Sequence, residues 1–448
     1  MSTNDLEKTA RRNVRSFTLF RVFFTARFYY PVYAVLFLDF GLTLGQFALL
    51  NGIWAASIVL LEVPSGALAD TIGRRRLVVV AAVCMLLEMA VLLVAPVGGG
   101  ALLFTLFVFN RVLSGAAEAA ASGADEALVY DSLKAAGLES EWGRVLERVQ
   151  RDTSLAFFFA MMIGAAVYDP QMINAVLGFV GASFTVEASQ LVKLPILLTF
   201  FSGMVVFVMA LRMRETARPK RTSVRETMAA SWRQTLAAGR WIWATPLPFG
   251  IVLAAMVIDS IVRQFLTLAS EYWKVIELPI ASYGIIWSGM ALIGLFVPTV
   301  ARVLTEKSTP VKNFLLVSAV VFVGLFGLGL AIPYWGIVPA VLVYAAIQFT
   351  GYFVSRYLNE VAPSEQRATV LSFRGLSTNF SFGAVSLMYS GLIVWIETHS
   401  GGGATGEPAQ DAVFIDSLQT FAWYFLFTVV LVFWLHRLRF GRRKLAGS

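Results

Sequence analysis

Histidine and cysteine are all but missing from this sequence, which holds two histidines, His399 and His436, and a single cysteine, Cys84. One cysteine allows no intrachain disulfide, and two isolated histidines supply no cluster of the kind that zinc or acid–base catalysis needs. No catalytic residue, metal ligand or cofactor is therefore expected, and a membrane-embedded transferase is set aside. The phosphate-cradling pattern G-x-x-x-x-G-K-[ST] is also missing, which disfavours a nucleotide-driven pump. Charge is scarce too: Asp, Glu, Lys and Arg make up 14% of the residues, against about 25% in soluble domains.

The chain is instead apolar, 58% hydrophobic with a mean hydropathy of +0.72. A bilayer core needs about 20 apolar residues per helix. Runs of that order fall near 17–40, 44–65, 77–97, 101–122, 153–170, 191–212, 246–268, 281–303, 313–332, 336–357, 368–395 and 417–436. The fifth is cut short by Asp169, Pro170 and Gln171, and the apolar piece that follows, "MINAVLGFVGASF", reads as a re-entrant or interfacial segment within 169–190. No run alternates as an outer-membrane strand does, so the expectation is an all-α polytopic membrane protein with twelve transmembrane helices. The amino-terminal run is long and lacks a small-residue cleavage site, and it reads as a retained first span.

A net charge of +8 would suggest nucleic acid in a soluble protein. Here the basic residues follow the membrane, so nucleic acid is not an expected partner. Most lie in the two tails and in the connections on one side. Only Lys193 and Lys274 lie on the other, while Arg21, Arg27, Arg111, Arg263 and Arg374 fall within spans or at their ends. This asymmetry predicts a bacterial-type inner membrane protein with both termini cytoplasmic. The largest connection holds Arg214, Arg218, Lys220, Arg221, Arg225, Arg233 and Arg240 and divides the spans six and six. We therefore expect a bundle over 1–212, a basic linker over 213–240 and a second bundle over 241–448. The Gly-rich external loop "THSGGGATGEPAQDAV" reads as a flexible connector. A loose repeat agrees with the halving, since "GIWAASIVLLEVPSG" from Gly52 returns as "GIIWSGMALIGLFVPTV" from Gly284. Two pseudo-symmetric six-helix bundles are a recurrent design of secondary transporters.

The segment "GALADTIGRRRL" sits between the second and third spans. Its Gly66, Leu68, Asp70, Gly73, Arg74 and Arg75 resemble the G-x-L-x-D-x-x-G-R-[KR] motif of the major facilitator superfamily. Arg111 and Gly115 in "NRVLSGAAEA" are similar to that family's R-x-x-x-G motif. The resemblance extends over the whole chain and implies a rocking bundle, with helices 1, 4, 7 and 10 lining a cavity and the first motif acting as a conformational latch. The residues themselves suit such a role: Asp70 can face the helix N-terminus that begins near Thr369 in "SEQRATVLSF", and Arg74 and Arg75 can reach Asp125, Glu126 or Asp131. Alternatively these charges only anchor topology. The second-half copy has lost the motif, and the fifth span lacks the G-x-x-x-G-P-x-x-G-G pattern common in drug–proton antiporters.

Ionisable groups inside spans are costly unless paired or hydrated, which makes each a site candidate. Arg27 sits mid-run beside Tyr29, Tyr30 and Tyr33, and Asp259 and Arg263 share a face of the seventh span. Arg27 and Arg263 lie close to the repeat offset and would suit an anionic substrate group. Asp259 with Arg263 can equally be a self-neutralised structural pair. Arg111 and Glu118 share a face of the fourth span and suit proton coupling, with Asp259 a second candidate, or they form a structural pair. Glu62 and Glu88 fall in the second and third spans, and Glu62 is expected to support the latch. Gln348, Thr350 and Tyr352, with Asn379 at the edge, are expected in a cavity wall. The expected substrate-binding set is Arg27, Tyr30, Tyr33, Glu118, Asp259, Arg263, Gln348 and Tyr352.

The reading that follows is a secondary active transporter, functional as a monomer, whose partners are a small-molecule substrate, the lipid bilayer and a coupling ion, the proton. Export of a drug or metabolite is expected ahead of uptake or exchange of an organic anion bound by Arg27 and Arg263. A sensor or scaffold without transport is a remote alternative.

Overall fold

The computed structural model describes residues 3–181, 183–216, 223–363, 366–399 and 407–441. Residues 400–406 of the Gly-rich loop, 217–222 of the basic linker, and Ser364 and Glu365 ahead of the eleventh span lie outside them. No strand occurs among the described residues. Ten helical stretches there are long and apolar enough to cross a membrane, and an eleventh joins them if one sharply bent pair counts as a span.

The chain forms two compact units. One comprises Met1–Leu42, Ala56–Trp232 and Ile280–Ser288, and the other Thr43–Ala55, Arg233–Pro279 and Gly289–Ser448. The first holds helices α1 (Thr3–Thr25), α2 (Tyr33–Asp39), most of α3 (Leu44–Ile72), α4 (Arg74–Val94), α5 (Ala101–Ala121), α6 (Ala124–Ala135), α7 (Trp142–Tyr168), α8 (Pro170–Phe179), α9 (Ala188–Leu191) and α10 (Leu194–Arg212). The basic segment read as a linker carries a helix of its own, α11 (Val224–Ala244). The second unit is built on α12 (Pro246–Val275), most of α13 (Ile280–Lys307), α14 (Pro310–Leu328), α15 (Ile337–Val361), α16 (Arg367–His399) and α17 (Glu407–Phe440). Interior prolines, Pro64 in α3 and Pro298 in α13, occur at matching places in the two halves.

The first unit's core packs α1, α4, α6 and α10 through Phe17, Phe20, Phe24, Val78, Leu128 and Val206. The outer faces are also apolar: Leu295, Phe296 and Trp423 are each at least three-fifths exposed. Unpartnered faces of this kind suit a lipid environment.

The first expected span, 17–40, is not one helix. It runs as α1 to Thr25, leaves helical geometry over 26–29, makes a single 3₁₀ turn at Tyr30–Val32 and resumes as α2. Pro31 has no N–H to donate, and here, unlike at Pro64 and Pro298, the helix is interrupted ahead of it. The freed backbone is satisfied by neighbours: the Phe28 N–H donates to Thr199 Oγ1 at 3.0 Å, and that hydroxyl donates to Pro195 O at 2.9 Å. The Phe28 carbonyl lies against Gly164 of α7 so closely that a Cβ there would overlap its oxygen. Gly164→Ala is therefore expected to lower the stability by about 1–3 kcal/mol, measured as a fall in melting temperature in detergent. An unchanged melting temperature would mean that the break does not depend on this contact.

The segment after the fifth span is resolved as a bend. α7 ends at Tyr168, and the Asp169 carboxylate caps α8 by accepting from the Gln171 and Met172 N–H groups at 2.8 and 3.3 Å. The chain turns by 82° at this point. Ten residues of helix extend only about 15 Å, half a hydrocarbon core, and none of α8 is buried. By its length α8 cannot cross a bilayer alone, and with α7 it makes a broken span or a re-entrant turn.

Candidate functional site

Breaking the first span at residues 26–29 places Arg27, 1% exposed, in the interior of the first unit. Its guanidinium Nη1 is paired with Oε1 of Glu88, a fully buried carboxylate on α4, and Nη2 lies 3.6 Å from Oε1 of Glu118 on α5. Glu88 Oε2 and Arg27 Nη2 are buried with no hydrogen-bond partner among the described residues. The rings of Phe24 and Tyr30 lie 5.3 and 6.0 Å from the guanidinium carbon, adding cation–π attraction where water is excluded. Two carboxylates thus share one guanidinium, and they differ in access: the Glu88 side chain is sealed, whereas that of Glu118 is 37% exposed.

A second layer holds the first in place. Asn110 Nδ2 donates to the Glu88 backbone carbonyl at 2.7 Å, and Arg111 Nε donates to Asn110 Oδ1 at 2.8 Å. Arg111 Nη1 donates to the Tyr33 hydroxyl at 2.7 Å, and its guanidinium lies over Phe37. Arg111 and Glu118, expected to act as a pair on one face of α5, therefore diverge toward Tyr33 and Arg27 respectively. With Arg27 and Arg111 against Glu88 and Glu118, this cluster is formally neutral.

The second unit carries its own charged cluster. Asp259 and Arg263 form an i,i+4 ion pair on α12, and Arg263 Nη1 donates to Asn379 Oδ1 of α16 at 2.8 Å. The Arg263 guanidinium lies 5.1 Å from the Phe382 ring, which meets Trp54 edge-on. Arg374, on the same helix as Asn379, has its Nε buried with no hydrogen-bond partner among the described residues. Gln348 reaches Tyr344 at 3.4 Å, Thr350 bonds back to Ala346 O within its own helix, and the Tyr352 ring meets Phe353. None of these three is brought to the Asp259 cluster by a described hydrogen bond.

The "GALADTIGRRRL" stretch is organised within the first unit. Gly73, at φ +106°, takes a conformation that disfavours a side chain and starts α4 directly after α3. Arg74 pairs with Asp131 and donates to Ala127 O at 2.9 Å. Arg75 binds the start of the linker: its N–H donates to Glu215 Oε2 at 2.8 Å and its guanidinium donates to Met213 O and Leu211 O. Asp125 and Glu126 are taken by Arg21 of α1, at 2.8 and 2.7 Å, and not by Arg74 or Arg75. A Cβ at Gly66 would meet open space, so no close approach explains that glycine. Asp70 ends the same helix one turn before Gly73.

A family model described as Major Facilitator Superfamily matches residues 16–387. The chain belongs to the major facilitator superfamily. Members of this superfamily are secondary transporters and not enzymes, and this member is a multi-pass membrane protein. No curated protein matches it. Among solved structures, a mutant of the nucleoside transporter NupG is similar over 96% of this chain and 100% of its own, with 11% identity and a TM-score of 0.70. A bacterial homolog of the human lysosomal transporter Spinster, inward-facing and unoccupied, covers 100% of both chains at 15% identity and a TM-score of 0.67. A D-xylose–proton symporter covers 93% and 97% at 16% identity, with a TM-score of 0.60. At these identities the likeness shows the major facilitator fold, with its twelve-helix plan, and leaves the cargo open.

Several contributors to this superfamily member's clusters lay outside the sequence-predicted site set. Glu88 and Arg374 were visible as ionisable groups inside spans. Asn110 and Thr199 carried no signal, since a single amide or hydroxyl in an apolar run is common. Arg21 was visible only as a basic residue near a span end.

Proposed function

We propose that this chain is a proton-coupled transporter of a small organic solute, exporting a drug or metabolite across a bacterial-type inner membrane in exchange for protons. The observation that carries the reading is Arg27, buried at a broken span and shared by a sealed Glu88 and an accessible Glu118. The sealed Glu88 holds Arg27 Nη1, whereas Glu118 stands 3.6 Å from Nη2 and is open to solvent, so a proton can bind to and leave Glu118 without breaking the buried pair. Glu118 is the proton carrier, Glu88 the fixed counter-ion, and Arg111 with Tyr33 and Asn110 holds the geometry. The aromatic wall of Tyr30 and Tyr33 suits an apolar solute. The Arg74–Asp131 contact and the Arg75 grip on the linker support a conformational latch whose rearrangement accompanies the cycle, with Asp70, Gly66 and Gly73 in the same motif.

A second reading, uptake or exchange of an organic anion, draws on one observation. Arg374 Nε is buried with no hydrogen-bond partner among the described residues, and an anionic group on the solute would supply one.

The test begins with a thermal-shift screen of the purified protein against metabolites, drugs and organic anions. Hits are then assayed for flux in proteoliposomes under an imposed pH gradient. Accumulation that a protonophore collapses is expected; accumulation that survives the protonophore would remove proton coupling. Hits confined to organic anions, lost in Arg374→Ala, would favour the second reading.

A further inference from the structure

Beyond the transport reading, and independent of it, the structure has a feature on the flanks of α1 that neither charged cluster uses. Two crevices adjoin there within the first unit. One, about 480 Å³, is lined by Arg11, Arg15, Arg144 and Arg148 over an apolar floor that includes Leu19 and Leu133. The other, about 550 Å³, is lined by Arg11, Arg12, Arg15 and Arg212 over Leu19 and Met209. Arg11, Arg15 and Leu19 belong to both, so the crevices lie on either side of one helical ridge. Glu141 is the single carboxylate among the lining residues, and Glu7 is bound to Arg11 at 2.8 Å. Arg12, Arg15, Arg144, Arg148 and Arg212 are exposed, and none makes an ion pair among the described residues. Six guanidinium groups thus converge with two carboxylates near them.

Positional anchoring of the membrane orientation needs basic residues, but it does not need them gathered around a shared cavity with an apolar floor. We propose that these crevices bind a phospholipid whose headgroup carries two phosphates, one in each crevice. Guanidinium forks match phosphate oxygens bidentately. The shared ridge of Arg11 and Arg15 stands between the two phosphates and contacts both. Below it, the partly exposed Leu19 and Phe23 of α1 continue the apolar surface, so acyl chains run along that face while the headgroup stays at the arginines. Basic pockets between helices at the cytoplasmic face recognise anionic headgroups by this chemistry. A free diphosphate would satisfy the guanidinium groups but leave the apolar floor uncovered.

The experiment uses the purified full-length protein and native mass spectrometry with three probes: cardiolipin, phosphatidylglycerol and inorganic pyrophosphate. Cardiolipin is expected to bind about tenfold or more tightly than phosphatidylglycerol. The double variant Arg15→Gln/Arg148→Gln is expected to lose that preference, whereas Arg225→Gln/Arg240→Gln, which removes the same charge from α11, keeps it. Melting temperatures without lipid, equal in both variants, separate a lost site from a lost fold. Equal binding of the two lipids, equal losses in the two variants, or pyrophosphate binding that matches cardiolipin would each overturn the proposal.

Discussion

Glu88→Ala is expected to lower the stability of the protein by about 3–5 kcal/mol and to abolish transport, because it leaves the Arg27 charge buried without its matched partner. Arg27 is 1% exposed and Glu88 fully buried, so water cannot replace the lost carboxylate. Glu118 stands 3.6 Å away, too far for a hydrogen bond to take over the role without movement. The paired substitution Arg27→Met/Glu88→Leu separates structure from function. Removing both charges together, with side chains of similar volume, is expected to recover most of the lost stability, since a buried pair replaced by apolar groups is often near neutral. Transport is expected to stay absent in that variant. Melting temperature in detergent and solute flux in proteoliposomes read the two effects. Normal flux in the stable double variant would mean that Arg27 is a structural residue.

Glu118→Gln is expected to have a different signature. Glutamine keeps the size and hydrogen-bonding capacity of a protonated glutamate, so insertion and folding are expected to match the wild type. What it loses is the ability to release a proton. Gradient-driven net transport is expected to fall about a hundredfold or more, as removal of a required proton carrier implies, and to lose its pH dependence. Exchange of labelled for unlabelled solute needs no net proton movement and is expected to persist. The opposite pattern, lost exchange with intact pH dependence, would place Glu118 in substrate contact and move proton coupling elsewhere, with Asp259 the next candidate.

Most of the architecture was legible because bilayer helices must satisfy their backbone internally and reach a fixed length. Ten helices long and apolar enough to span, among the described residues, follow directly from run length, and the bend between α7 and α8 follows from Asp169 and Pro170, which end one helix and cap the next. The first span defeated the same logic. Its apolar run is continuous, and the break at 26–29 depends on Thr199 and Gly164, distant in the chain, which satisfy and accommodate the freed Phe28 backbone. Pro31 was the local signal.

The site was legible in kind but not in partnership. The cost of burying charge singled out Arg27, Arg111, Glu118, Asp259 and Arg263. Spacing correctly paired Asp259 with Arg263, since both stand on one helix. It misdirected Arg111 to Glu118, because a seven-residue spacing shares a face without fixing where long side chains reach. The carboxylates of α6 show the same limit: Arg21, Arg74 and Arg75 lie within reach of different parts of α6 and the linker, and only packing decides which takes Asp125 and which takes Asp131.

The central claim is that solute movement is tied to a proton carried by Glu118. It is tested most directly by recording solute flux and lumenal pH together in proteoliposomes with no imposed gradient of protons. In the wild type, a solute gradient is expected to drive a change in lumenal pH that tracks solute movement in the opposite direction, and in Glu118→Gln the pH trace is expected to stay flat. Solute that moves down its gradient through the wild-type protein with no change in lumenal pH would contradict the account.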